Sequence, residues 1–280
     1  MRKIDDGDEE LALPAALARL ATWRWPGGET GADWVAEEVP VALEYNGISH
    51  VVMLATPLDL EDFALGFSLS EGLIDTPADL LEVEIAAGCN GGLVAQLRIS
   101  ARCEMRLKER RRNLAGRTGC GLCGTDSLDQ VLRPLKRPVT PPRLAGDALQ
   151  RAMRELAAAQ PLQQRAGGLH AAAWCDADGA LLLLREDVGR HNALDKLVGA
   201  LARAGTDPGR GFVAVTSRAS FEMVQKTAQA GIGLLAAVSA PTHLAIRTAH
   251  DCGLALAGFV REQRATFYSG WPAGNEPPPA

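Results

Sequence analysis

The chain reads as an α/β protein, α+β overall, with a smaller β-rich N-terminal domain ahead of a layered C-terminal α/β domain. Three observations predict this. From about residue 180 onward, short apolar runs alternate with amphipathic stretches of helical length. That is the pattern of parallel strands covered by helices. Residues 39–56 read instead as a hairpin, Val41–Tyr45 against Ile48–Met53 across Asn46-Gly47, a favoured two-residue turn. Between these regions, Arg137-Pro138-Val139-Thr140-Pro141-Pro142 packs three prolines into six residues, which marks a linker.

Length and composition bound the answer. The chain has 280 residues, 47% of them hydrophobic, enough for one large or two small domains. A net charge of −5 argues against nucleic acid as a general partner. No apolar run reaches the roughly 18 residues of a membrane span. Asp5, Asp6, Asp8, Glu9 and Glu10 are the wrong chemistry for a signal peptide. Six cysteines could form disulfides, but a chain this long needs no such staples. The expectation is a reduced, cytoplasmic protein.

The elements follow in order. Residues 1–38 read as a flexible arm with at most one short helix over Leu11–Ala21. Its Trp23, Trp25 and Trp34 are expected to cover the arm's own domain, since large exposed apolar patches are the rarer case. The N-terminal domain spans 39–136. After the hairpin, Thr56-Pro57 opens a helix to about Ser70, and Leu80–Ala87 and Leu93–Ile99 read as strands. Cys103 is expected at a strand end, and Thr125–Leu132 as a short helix. The linker is 137–145.

The α/β domain, 146–269, starts with an alanine-rich helix to about Ala159. Strands are expected at Gly168–Cys175, Ala180–Arg185, Gly211–Thr216, Leu234–Ser239 and Leu254–Val260, with an edge strand at Ala265–Tyr268. Helices are expected at His191–Ala204, Ala219–Ala230 and Thr242–Cys252. Residues 270–280 read as a disordered tail.

One stretch carries thiol chemistry: Gly119-Cys120-Gly121-Leu122-Cys123-Gly124, preceded by Lys108-Glu109-Arg110-Arg111-Arg112 and Arg117. Positive charge favours the thiolate, and glycines leave the sulfurs approachable. A single Cys-x-x-Cys is open to zinc ligation, dithiol redox or persulfide chemistry. A structural zinc site wants four ligands, and there is no second such pair; Cys89, Cys103, Cys175 and Cys252 are scattered singly.

A second set of candidates lies where strands meet helices. Glu186–Asn192, Thr216–Ser220 and Ser239–His243 each end in a helix N-terminus, which favours anions. Ligands of open α/β sheets bind beyond the carboxyl ends of the strands. Arg190, His191, Ser217, Arg218, Thr242 and His243 therefore read together as a pocket for a phosphate-bearing ligand, although any one serine or threonine there serves equally well as a helix cap. A zinc nucleobase deaminase suits the architecture but not the chemistry. Its signature is H-x-E followed by P-C-x-x-C; H-x-E does not occur, and Gly119 precedes Cys120.

With these residues gathered, the chain closely resembles the FdhD family of formate dehydrogenase accessory sulfurtransferases. The resemblance rests on Thr118–Gly124, on Arg185-Glu186-Asp187-Val188-Gly189-Arg190-His191-Asn192-Ala193-Leu194-Asp195-Lys196, on Thr216-Ser217-Arg218, on Glu222–Lys226 and on Gly258–Arg261. It implies a C-terminal cytidine-deaminase-like three-layer domain and a homodimer. It also implies a sulfur carrier that takes persulfide sulfur from a cysteine desulfurase onto Cys120, with Cys123 assisting or resolving. The sulfur would pass to a molybdenum bis(molybdopterin guanine dinucleotide) cofactor destined for formate dehydrogenase. By the same resemblance Phe259, Val260, Arg261, Glu262, Gln263 and Arg264 are a cofactor-contacting stretch. The readings still open beside it are a zinc-stabilised cofactor-binding module and a disulfide reductase.

Overall fold

The computed structural model describes residues 14–115, 138–261 and 264–271. The thiol pair Cys120 and Cys123, the expected helix over Thr125–Leu132, Glu262, Gln263 and the tail from residue 272 lie outside the described residues.

The chain opens with an antiparallel ribbon, β1 (Leu17–Arg24) and β2 (Glu29–Ala36), in unbroken register from Leu17 opposite Ala36 to Arg24 opposite Glu29. This corrects the expected helix, since Leu17–Ala21 is strand. Thr22, Trp23 and Trp34 favour a pleated surface, and Pro26-Gly27-Gly28 reverses the chain, with Gly28 at φ +69. Trp34 is half-buried beneath the Arg165 guanidinium, 4.4 Å from its ring. Trp23 and Trp25 are exposed, so the expectation that the tryptophans cover their own domain holds only for Trp34.

Next come β3 (Val39–Tyr45), β4 (Ile48–Ala55), β5 (Leu80–Ala87) and β6 (Leu93–Ile99), in sheet order β4-β3-β6-β5 with a parallel central pair. Asn46 and Gly47 have φ of 48 and 78, the two positive values that the hairpin turn needs. Strict alternation puts Val39, Val41, Leu43 and Tyr45 on the same side as Leu93, Ala95, Leu97 and Ile99, against α1 (Leu60–Ser70).

Helix α2 (Ala101–Ala115) follows β6 directly. Cys103 is thus buried in a helix and not at a strand end. The charged run Lys108–Arg112, to which the sequence reading gave no secondary structure, lies within this helix, because arginine, lysine, glutamate and alanine are good helix formers. Glu104 pairs with Lys108 one turn on, and Arg102 and Arg106 pair with Asp75.

The second sheet has six strands, β7 (His170–Asp176), β8 (Leu181–Asp187), β9 (Gly211–Val215), β10 (Leu234–Ala237), β11 (Ala255–Arg261) and β12 (Arg264–Ser269), in order β12-β11-β10-β9-β7-β8. Strands β9, β10 and β11 are parallel, as their apolar runs predict, and β12 closes one edge antiparallel. Helix α3 (Ala148–Ala158) covers one face. After α4 (Pro161–Ala166), a short helix that the sequence reading misses, come α5 (Arg190–Arg203), α6 (Phe221–Gln229) and α7 (His243–Cys252), which cover the other. Segment 138–141 is packed down, with Val139 N–H donating to the Cys252 carbonyl at 2.9 Å.

The two sheets are joined through α1 and α5. These helices touch backbone to backbone at glycines: a Cβ on Gly66 would lie 1.7 Å from the Asp195 carbonyl oxygen, and one on Gly199 would lie 1.9 Å from that of Asp62.

Candidate functional site

Strand direction decides where a site can form. Strands β8, β9, β10 and β11 run the same way, because β7 is antiparallel to both of its neighbours. Their carboxyl ends therefore share one edge of the sheet, and all three predicted junctions lie on it. Two of the junctions are tied together: Ala219 pairs with Pro241, and Thr242 N–H donates to the Ala219 carbonyl at 3.1 Å. Four strand spacings separate β8 from β11, roughly 19 Å. The predicted residues thus form two groups along the edge and not one compact pocket.

The first group surrounds His191 at the start of α5. Its Nε2 lies 3.0 Å from Glu222 Oε2 and 3.4 Å from Ser220 Oγ, both at the start of α6. Ser220 also donates to Glu222 at 3.3 Å. Burial lowers the His191 pKa, Arg190 lowers it further, and Glu222 opposes them. His170, which opens β7 on the same edge, is lowered by burial and by Arg190. Glu222 is the residue that sequence reasoning left without a role here; its place in the first turn of the helix expected from Ala219 was the available signal.

These shifts predict a pH effect. A histidine whose folded pKa is depressed stabilises fully above its unfolded value of about 6.5, and that stability is lost as pH falls towards the folded value. Thermal denaturation should therefore show the melting temperature dropping below about pH 6.5, less steeply in His191→Gln.

The second group lies at the ends of β10 and β11. Phe259 is a half-exposed aromatic at φ +49, a left-handed backbone that costs a bulky residue free energy and that clusters at functional sites. The β11–β12 register breaks between Gly258 and Arg261, and this bulge turns Phe259 outward. Val260 is buried, while Arg261 and Arg264 are exposed. An open groove of ≈ 600 Å³ runs between this end of the sheet and α3, lined by Gln150, Met153, Arg154, Val238, Arg261 and Arg264. Gln150 and Arg154, on α3, were invisible to a search confined to strand ends.

Other candidates resolve into structural roles. Thr242 caps α7, accepting from Ala245 N–H at 3.2 Å. Ser217 is buried and donates to the Arg218 carbonyl at 3.0 Å. His243 is exposed. Among the described residues, Arg190, Arg218, Arg261 and Arg264 form no ion pair, which leaves four cations along this edge for an anionic ligand.

The run from Arg185 to Lys196 mostly holds the fold. Glu186 accepts from the Leu162 and Gln163 amides at the start of α4. Asp187 pairs with Lys196 at 2.7 Å with both side chains fully buried, and both reach Thr56: its amide donates to Asp187 and its carbonyl accepts from Lys196. Asn192 donates to the Leu54 carbonyl at 2.7 Å. Asp195 accepts from Ser70 at 2.6 Å and from Lys226 at 3.0 Å. Burial works against the Lys226 charge, yet Asp195 and Glu71 outweigh it and its pKa is raised. Of this run, Arg190 and His191 open α5 at the sheet edge.

The thiols among the described residues divide sharply. Cys103, Cys175 and Cys252 are buried and Cys89 is exposed. Burial pushes the Cys175 thiol up to about 12 and raises that of Cys252, which makes both poor nucleophiles at neutral pH.

Comparison with known proteins agrees with this architecture. The chain is 58% identical over 243 residues to the sulfur carrier protein FdhD of Bordetella petrii, covering 87% of each chain. It is 57% identical over 266 residues to that of Cupriavidus necator, covering 94% of this chain and 91% of the relative. Against that of Xanthomonas campestris pv. campestris it is 53% identical over 258 residues, 91% of each. The fold matches the crystal structure of a Desulfotalea psychrophila protein described as a formate dehydrogenase accessory protein. The TM-score is 0.69 at 23% identity, over 92% of this chain and 98% of that one. The FdhD/NarQ family model matches residues 36–273, from the end of the ribbon through both sheets and the Cys120–Cys123 segment, and the chain belongs to that family.

Proposed function

We propose that the protein is a cytoplasmic sulfurtransferase that loads sulfur on Cys120 and delivers it to the molybdenum bis(molybdopterin guanine dinucleotide) cofactor of formate dehydrogenase, acting as a homodimer. The observation that carries this reading is identity of more than half, over most of the chain, to proteins named sulfur carriers, together with the Cys-x-x-Cys pair inside the family segment. Two features of the fold support it. The buried thiols are poor candidates for sulfur loading. The sheet edge, with Arg190, Arg218, Arg261, Arg264 and the outward Phe259, suits a long ligand that carries phosphates and flat rings.

The chemistry balances without an external oxidant. The Cys120 thiolate attacks the terminal sulfur of a cysteine desulfurase persulfide. A sulfur–sulfur bond forms on Cys120, the old one breaks, and the desulfurase thiolate leaves. Attack of the Cys123 thiolate on the inner sulfur then releases hydrosulfide to the client cofactor and leaves a Cys120–Cys123 disulfide. A cellular dithiol reduces that disulfide before the next cycle.

The test is to incubate the full chain with a cysteine desulfurase and cysteine, then weigh the peptide that contains residues 119–124. One added sulfur atom on Cys120 is the expected result. Normal sulfur uptake by both Cys120→Ala and Cys123→Ala, with formate dehydrogenase maturation intact, would sink the proposal. So would stoichiometric zinc on the pair in protein purified without added metal.

A further inference from the structure

We infer that the N-terminal ribbon of one copy docks on the outer face of the four-stranded sheet of a second copy, by an apolar contact at its tip and an Arg19–Glu44 contact at its base. The inference rests on the homodimer of the reading above and names the surface that makes it.

The ribbon is left half-finished within one chain. A lone two-stranded ribbon is marginal in water, and among the described residues this one is held near its base, where Trp34 lies under Arg165. Its tip carries Trp23, 60% exposed, and Trp25, 80% exposed, with ring centroids 5.9 Å apart. Arg19, Ala21 and Trp23 lie on one face of β1 by alternation. Among the described residues neither Arg19 nor Arg24 forms an ion pair.

The same chain offers an uncovered counterpart. The face of the four-stranded sheet turned away from α1 carries Val52 and Leu54, 59% and 55% exposed, beside Ala42 and Pro40. Val94 and Ala86 extend this apolar row across β6 and β5. Farther along the strands, Glu44 and Glu84 stand on either side of Gln96, in a depression of ≈ 420 Å³ that Glu82 also lines. Glu82 is paired with Arg98 at 2.8 Å; Glu44 and Glu84 form no ion pair among the described residues.

The two surfaces match in spacing as well as in kind. Trp23 and Arg19 are four residues apart on one strand face, and so are Pro40 and Glu44. At about 3.3 Å per residue both separations are about 13 Å. A ribbon with Trp23 over Pro40 and Leu54 therefore carries Arg19 to the acidic row. In the single chain Arg19, Trp23, Pro40 and Leu54 are exposed and Glu44 is half-buried, and the two surfaces do not cover each other there. Reciprocal exchange by two copies closes the assembly with two-fold symmetry. Each buried tryptophan removes roughly 150–250 Å² from water, so two exchanged ribbons and their counter-surfaces reach the size of a stable interface, on the order of 1,200–2,000 Å².

The experiment is sedimentation of the full chain across a concentration series, with tryptophan emission followed in parallel. The wild type should sediment as a dimer, with emission shifting to the red on dilution. Trp23→Ser combined with Trp25→Ser should weaken the dimer by roughly 30-fold or more, with unchanged circular dichroism, because both positions are on the surface. Arg19→Glu and Glu44→Arg should each weaken it, and the two combined in one chain should restore it. A dimer indifferent to all of these overturns the surface assignment but leaves the homodimer standing. A wild type that is monomeric throughout overturns both. Ribbon variants that keep the dimer but lose binding to a desulfurase would give the ribbon to another protein and overturn the inference.

Discussion

Gly66→Ala is expected to destabilise the protein by more than about 3 kcal/mol, beyond the usual range for overpacking. In an exposed helix the same change stabilises by roughly 0.5–1 kcal/mol, because alanine is the better helix former. Here the sign reverses. The new Cβ would sit 1.7 Å from the Asp195 carbonyl oxygen and 2.7 Å from the Gly199 amide nitrogen. Both are helix backbone and cannot rotate away as a side-chain end can. Relief requires α1 and α5 to separate, which strains the Ser70–Asp195–Lys226 contacts across the same seam. Gly199→Ala should behave alike, with its Cβ 1.9 Å from the Asp62 carbonyl oxygen. The control is Gly146→Ala, where nothing lies within 4 Å of the added carbon; it should change stability little. Denaturant midpoints of the three variants decide the matter, and a Gly66→Ala protein as stable as the control would refute the backbone contact.

That contact also marks the limit of what the sequence could reveal. Phe212–Val215 and Leu234–Ala237 are legible as parallel strands because burial on both faces makes the run continuously apolar. The Asn46-Gly47 hairpin is legible because its turn needs two positive φ values. The ribbon and α2 were missed for opposite reasons. The ribbon is exposed on both faces over most of its length, so it shows little hydrophobic alternation. Helix α2 pairs Arg102 and Arg106 with Asp75 and Asp79, at the entrance to β5, and such a charged stretch looks in sequence like solvated charge. The three expected junctions do share one edge of the sheet, but a helix start does not reveal which hydroxyl caps and which binds. Thr242 proved a cap. Gln150 and Arg154 join Arg261 and Arg264 only because α3 crosses the sheet beside β11, a placement that no local pattern encodes.

The Asp187–Lys196 pair carries the other large expectation. Asp187→Ala should cost about 3–5 kcal/mol, the usual consequence of leaving a buried charge without its partner. Both side chains are fully buried, and their shared contact, Thr56, lies about 130 residues away in the chain. The loss therefore falls on the junction between β4 and β8. The two sides of the pair are not equivalent. Without Lys196, the Asp187 carboxylate still accepts from the Thr56 amide at 3.0 Å, the Gly189 amide at 2.7 Å and Asn192 at 3.0 Å. Without Asp187, Lys196 keeps only the Thr56 carbonyl, at 2.9 Å, among its described hydrogen bonds. Lys196→Met should accordingly cost less than Asp187→Ala, and the double variant less than the two single losses added together. A pH series separates this account from a simple packing defect. Burial lowers the Lys196 pKa while Asp187, and more weakly Asp59, pull it up, so removing Asp187 takes away the main opposition to burial. The unfolded chain then binds the lysine proton more readily than the folded one, and stability rises with pH towards the ordinary lysine value of about 10.4. The deficit of Asp187→Ala should thus shrink between pH 7 and pH 10 relative to wild type. A deficit that stays constant over that interval would mean that shape, and not an unpaired charge, accounts for the loss.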